Sequence, residues 1–107
     1  MTQARELAQE LLRHLSELDA LAAQTLRLKP RDQEATFSVM VDGQDVPLFR
    51  TTPGPEGLRL TIRSHGRWRP TPETGSPEAI AELLAGQLRF VWFLDAEEAD
   101  HHPVENL

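Results

Sequence analysis

Leucine and alanine recur every three or four positions between Thr2 and Leu28, the longest periodic run in the chain. At about 100° per residue, Leu7, Leu11, Leu15, Leu18, Leu21, Ala22, Leu26 and Leu28 fall on one side of a helix. Arg5, Glu6, Gln9, Arg13, Glu17, Asp19, Gln24 and Arg27 fall on the other. The pattern predicts a single amphipathic helix, capped by Thr2 and stopped by Pro30. Its apolar arc is about 200° wide, where a surface helix typically needs a stripe of only about 100°. One contact layer does not cover that arc, so a sheet must take part of it and a second helix or a partner subunit the rest.

From Ala35 the period changes to two. Ala35, Phe37, Val39 and Val41 point one way and Thr36, Ser38, Met40 and Asp42 the other, the signature of a half-buried strand. Asp42-Gly43 marks a tight hairpin turn into a second strand, Gln44 to Arg50, in which Val46 and Leu48 alternate with Asp45, Pro47 and Phe49. Pro47 has no N–H to give to a ladder, which points to an edge or a bulge at that position. Thr51 to Gly57, with Pro53, Gly54 and Pro55, reads as a loop. Leu58 to Arg63 alternates cleanly as a third strand, His65-Gly66 as a turn, and Arg67 to Arg69 as a short fourth strand ended by Pro70.

Ser76-Pro77 opens a second helix, with serine as cap and proline at the first helical position. Ile80, Leu83, Leu84, Leu88 and Val91 continue its apolar face past Gly86. Phe90 to Leu94 fits either a continuation of that helix or a terminal strand. The whole predicts an α+β fold: N-terminal helix, four-stranded antiparallel meander, C-terminal helix, with both helices on one face of the sheet. Residues 1–94 form one domain in this reading, and residues 95–107 an acidic, flexible tail.

A chain of 107 residues buries a small core, which dimerisation would enlarge. It contains no cysteine, so disulfides, thiol catalysis and thiolate metal sites are out. No secretory pattern opens it and no apolar run has the length of a membrane span, so the expected location is the cytoplasm, with no membrane partner. The net charge of −6 is uneven. Residues 1–75 carry as many basic as acidic side chains, whereas residues 76–107 carry Arg89 against seven acids. An acidic end opposes generic affinity for nucleic acid.

Arg59, Arg63, Arg67 and Arg69, with His65 and Trp68, are expected to share the outer face of two adjacent strands. Such a face suits an acidic protein segment or a nucleic-acid backbone, with Trp68 able to stack a base or a guanidinium. The plain alternative is a solvated face whose arginines cover the ring. The acidic stretch Asp95 to Asp100, in the same chain or a twin, has the complementary charge. Glu97–His101 and Glu98–His102 have the i, i+4 spacing of metal ligands on a helix, but no third ligand accompanies them, and no metal or cofactor is expected. His14 has Glu10 and Glu17 within helical reach, which accounts for it without catalysis. No phosphate-binding glycine loop, G-x-S-x-G or H-E-x-x-H occurs, so no catalytic residue is assigned and the expectation is a non-enzyme.

The succession of a leucine-rich amphipathic helix, a hairpin turning at Val41-Asp42-Gly43-Gln44, a further strand and the capped helix from Ser76-Pro77-Glu78 to Leu88 resembles type III secretion chaperones, over roughly residues 5–94. The resemblance implies a small, acidic, dimeric protein that holds extended segments of a client. The chain departs from that family in having little room for the further strands and last helix that should follow the second helix. The expected function is therefore a non-enzymatic protein-interaction module of chaperone or adaptor type, homodimeric or bound to another protein. Its contact would be made by Leu7, Leu11, Leu18, Leu21, Phe90, Trp92 and Phe93. The alternative is nucleic-acid binding through the arginine face.

Overall fold

The computed structural model describes residues 3–92. Its order is α1 (Gln3–Leu18), α2 (Ala20–Thr25), β1 (Arg27–Pro30), β2 (Ala35–Val41), β3 (Gln44–Gly54), β4 (Gly57–Ser64), β5 (Arg67–Gly75), α3 (Pro77–Ala85) and a 3₁₀ turn, Arg89–Trp92. The five strands form one antiparallel sheet in sequential order. Helices α1 and α3 lie side by side on one face of it. Between the layers sits a core of Ala8, Leu11, Leu15, Phe37, Leu48, Phe49, Leu58, Leu60, Ile80, Leu84 and Val91. The class is α+β, with five strands rather than four.

The extra strand comes from the end of the expected first helix. α1 stops at Leu18, and α2 restarts behind Asp19, whose carbonyl accepts from the N–H of Ala23 at 3.0 Å. The chain then extends, and Arg27 to Pro30 pairs with Ala35 to Ser38. Leu28 points into the core opposite Phe37 while Arg27 and Lys29 point out, a period of two too short to stand out beside the long helical run. Part of the apolar arc is covered within the chain: α3 packs along α1, and Leu7 and Leu12 are half-buried. Leu18 is left 51% exposed.

Strand β3 holds the decisive irregularity. Phe37 pairs with Phe49 and Ser38 with Pro47, so Leu48 is an extra residue without a partner on β2. This is a β-bulge, and it lies beside the proline that cannot donate to a ladder. It places Leu48 and Phe49 on the same side. Phe49, expected to point outward, is fully buried and stacked on Phe37 with ring centroids 4.6 Å apart. Trp92 meets its edge at 6.2 Å. Every residue of β3 after the bulge has the opposite facing from that of an unbroken alternation.

The hairpins follow their residues. Asp42 and Gly43 have φ of 51° and 81°, His65 and Gly66 of 55° and 75°. Both are two-residue turns with two left-handed positions, whose twist matches that of the strands they join. The expected loop Thr51 to Gly57 is mostly strand: β3 runs to Gly54, only Pro55 and Glu56 turn, and Gly57 opens β4. Gly57 has φ of +121°, and a Cβ there would stand 2.4 Å from the carbonyl oxygen of Gly75, so glycine is required.

Pro70, expected to end the fourth strand, lies inside β5. That strand is an edge, where a missing N–H does little harm. Opposite Leu60 the ladder is replaced by Thr71, whose hydroxyl donates to the Leu60 carbonyl at 2.8 Å and accepts from the N–H of Glu73 at 3.2 Å.

α3 begins as its sequence requires, with Ser76 Oγ accepting from the N–H of Ala79 at 3.1 Å. It does not continue to Leu94. Gly86 closes it, with its own N–H and that of Leu88 both reaching the Leu83 carbonyl. Arg89 to Trp92 is neither α-helix nor strand but a 3₁₀ turn, held by Trp92 Nε1 donating to the Leu84 carbonyl at 2.9 Å. Leu94 is outside the described residues.

The inward turn of Phe49 has a measurable consequence. Phe49→Ala is expected to lower unfolding stability in urea by about 3–5 kcal/mol, the cost of emptying a buried aromatic site. An outward phenylalanine would lose only about 0.5 kcal/mol, and a loss that small would contradict the bulge.

Candidate functional site: the uncovered sheet face

With both helices on one side, the opposite face of the sheet carries no covering element among the described residues. Strand register assigns its side chains. Arg27 and Lys29 on β1 lie beside Ser38 and Thr36 on β2. Thr36 in turn faces Arg50 on β3, Arg50 faces Thr61 on β4, Thr52 faces Arg59, and Arg63 faces Trp68 on β5. The face therefore presents Arg27, Lys29, Arg50, Arg59 and Arg63.

Trp68 organises one end of it. The guanidinium of Arg50 lies over the indole at 4.0 Å from the ring centroid, and that of Arg63 at 5.1 Å. Each contact is favourable by about 0.5–2 kcal/mol according to its exposure. Glu34, in the β1–β2 connection, places a carboxylate oxygen 3.3 Å from Arg50 Nε. Arg59 is exposed and forms no ion pair with a described residue.

The other end is self-contained. Asp45 accepts from Lys29 Nζ and from Ser38 Oγ, the latter at 2.8 Å. These bonds, Lys29 first, hold its carboxyl below the ordinary value, and the charges of Lys29 and Arg27 act the same way.

Arg59, Arg63 and Trp68 thus share the outer face, as the alternation of β4 predicts. Arg67 and Arg69 do not join them. They flank Trp68 in β5 and so face the other way, paired with Ser64 and Ile62 and exposed at the sheet edge. Arg50 takes their place. It was not among the candidate residues because unbroken alternation with Val46 and Leu48 would have sent it into the core; Pro47 was the available signal of the bulge that turns it out. His65 occupies the turn beyond the face.

The apolar candidates are scattered. Leu11 is fully buried in the chain's own core, Leu7 and Trp92 are half-buried against it, and Leu18 is exposed. The side chains of Leu21 and Phe90, and residue Phe93, lie outside the described residues, as do Asp95 to Asp100, His101 and His102. His14 is half-buried with Nδ1 3.8 Å from Glu17 Oε1, the helix-surface pairing expected of it. Among the described residues no three His, Asp or Glu side chains gather as a metal site, and no helix is long and apolar enough to cross a membrane.

No protein-family model matches the chain, and no curated protein or solved structure is significantly similar to it.

The pairing of Asp45 carries a pH dependence. Its folded pKa lies below its unfolded one, so its contribution is present above the unfolded value, near 4, and is lost as pH falls through the folded value. The group is about a third exposed, which keeps the contribution below about 1 kcal/mol. Asp45→Asn should lower the urea midpoint at pH 7, and the gap from wild type should close as both are titrated below about pH 4. A gap that stays constant with pH would show that the carboxylate charge plays no part.

Proposed function

We propose that the protein is a non-enzymatic protein-interaction module whose working surface is the uncovered face of its sheet. The observation that carries this reading is the pair of guanidiniums fixed over Trp68, on a face where Arg59 forms no ion pair with a described residue. An arginine held against an aromatic ring loses less rotamer freedom on binding than a free one, which is how a surface is prepared for a partner. Arginine and tryptophan are also the residue types that most often dominate interface energies. An adaptor or chaperone-like role in the cytoplasm, gripping a segment of another protein, suits this surface.

The double substitution Arg59→Gln/Arg63→Gln tests it. Both side chains lie on the uncovered face, so the fold should survive, as circular dichroism would verify. Affinity capture from native cell extract, read by mass spectrometry, should recover with wild type proteins that the variant fails to retain. Identical recoveries would remove the sheet face as the working surface.

A second reading is self-association along α1. Its support is Leu18, with half its surface exposed at the end of a leucine face whose Leu11 and Leu15 are fully buried. Light scattering should then give twice the chain mass for wild type and the single mass for Leu18→Glu; a single mass for both removes the dimer.

A further inference from the structure

The uncovered face sets the chemistry of its partner, and the following rests on that face being the working surface. We infer that it takes an extended polypeptide segment with acidic side chains at alternate positions. Arg59 and Arg63 stand four residues apart on the same side of β4, which at about 3.4 Å per residue separates them by about 14 Å. Arg50 lies one strand away, opposite Thr61, midway between them. By backbone register the three arginines form a shallow triangle along the strand direction, and the guanidiniums of Arg50 and Arg63 converge on the Trp68 ring. In an extended chain laid along β4, side chains facing the sheet recur about every 7 Å. Carboxylates at positions one and five meet Arg59 and Arg63, and one at position three meets Arg50. A helix repeats its side chains at about 5–6 Å on a curved surface and does not match this spacing.

The chemistry on the face favours carboxylates over bases. Carboxylates already serve there, with Glu34 beside Arg50 and Asp45 between Lys29 and Ser38. A planar guanidinium accepts a carboxylate through two parallel hydrogen bonds. A single-stranded nucleic acid gains its affinity by stacking bases on open aromatic rings. Among the described residues the aromatic side chain of this face is Trp68, and its ring is already engaged by Arg50 and Arg63. The acidity of the whole chain does not oppose an acidic partner here. Residues 3–92 carry eleven basic and twelve acidic side chains, so the described body is nearly neutral and its cationic face is a local excess.

Fluorescence anisotropy with the full-length chain at low salt tests the inference. The probes are a labelled peptide of alternating glutamate and serine, a peptide of the same composition with its glutamates in one block, and a thymidylate oligomer of equal charge. The alternating peptide should bind most tightly and weaken as salt rises. Arg59→Gln should reduce its affinity about fivefold, the effect of losing one charged contact. Trp68→Leu keeps every charge and should also weaken binding severalfold, because it releases the two guanidiniums; an unchanged affinity would reduce the site to diffuse charge and overturn the inference. Equal binding of the blocked peptide would overturn the spacing. Tighter binding of the thymidylate, or no peptide binding while Arg59→Gln/Arg63→Gln still loses proteins in affinity capture, would overturn the partner class but leave the face as the working surface. Peptide binding unaffected by either arginine substitution would overturn both.

Discussion

A single residue without a cross-strand partner, Leu48, sets the parity of the central strand. Before it, Val46 faces the helices and Asp45 faces out; after it, Phe49 and Thr51 face in and Arg50 and Thr52 face out. The core and the cationic face both depend on that shift. Without it the Phe37–Phe49 stack would be lost and Arg50 would be driven between α1 and the sheet. A buried, unpaired guanidinium is costly by several kcal/mol, so the alternative register is closed by the sequence itself. Pro47 is suited to the neighbouring position because the segment Gln44 to Pro47 pairs only with β2, leaving no ladder on the other side for a missing N–H to break.

The helical layer answers the question posed by the width of the first apolar arc. Part of the surplus is met inside the chain by α3, and the last residues of the leucine run leave the helix and become an edge strand. The ion pair of Asp19 with Arg89, 3.0 Å between Oδ2 and Nη1, ties the break between α1 and α2 to the turn that follows α3. Strong periodic segments were legible: α1, β2, β4, the start of α3 and both glycine turns follow from residue pattern alone. Short or proline-bearing segments were not. Arg27 to Pro30 is hidden by the helix before it, and the part of β5 beyond Pro70 reads as a loop because a threonine hydroxyl, invisible to any periodicity, replaces the missing ladder contacts.

The site was legible to the same degree as the strands that carry it. Arg59, Arg63 and Trp68 lie on strands whose side-chain parity is regular up to the places that matter, so their common face could be read directly. Arg67 and Arg69 do stand on the strand next to Arg59 and Arg63, as expected, but at the positions flanking Trp68, and adjacent residues of a strand face opposite ways. The facing of Arg50 depends on the bulged residue Leu48, two positions before it in β3 and opposite the Phe37–Ser38 step of β2, which an unbroken alternation does not show. A local break in pairing thus decided which arginine completes the cluster.

The prolines of β5 bear on how such a protein meets others. A bare sheet edge invites another chain to add a strand, with affinity supplied by backbone hydrogen bonds that any sequence can make. Here one edge, β1, is four residues long and ends in Pro30, and the other is interrupted by Pro70 and Pro72. Neither offers a continuous row of donors. Both outer strands are thereby blunted against the addition of a further strand, which leaves the side chains of the sheet as its more distinctive surface.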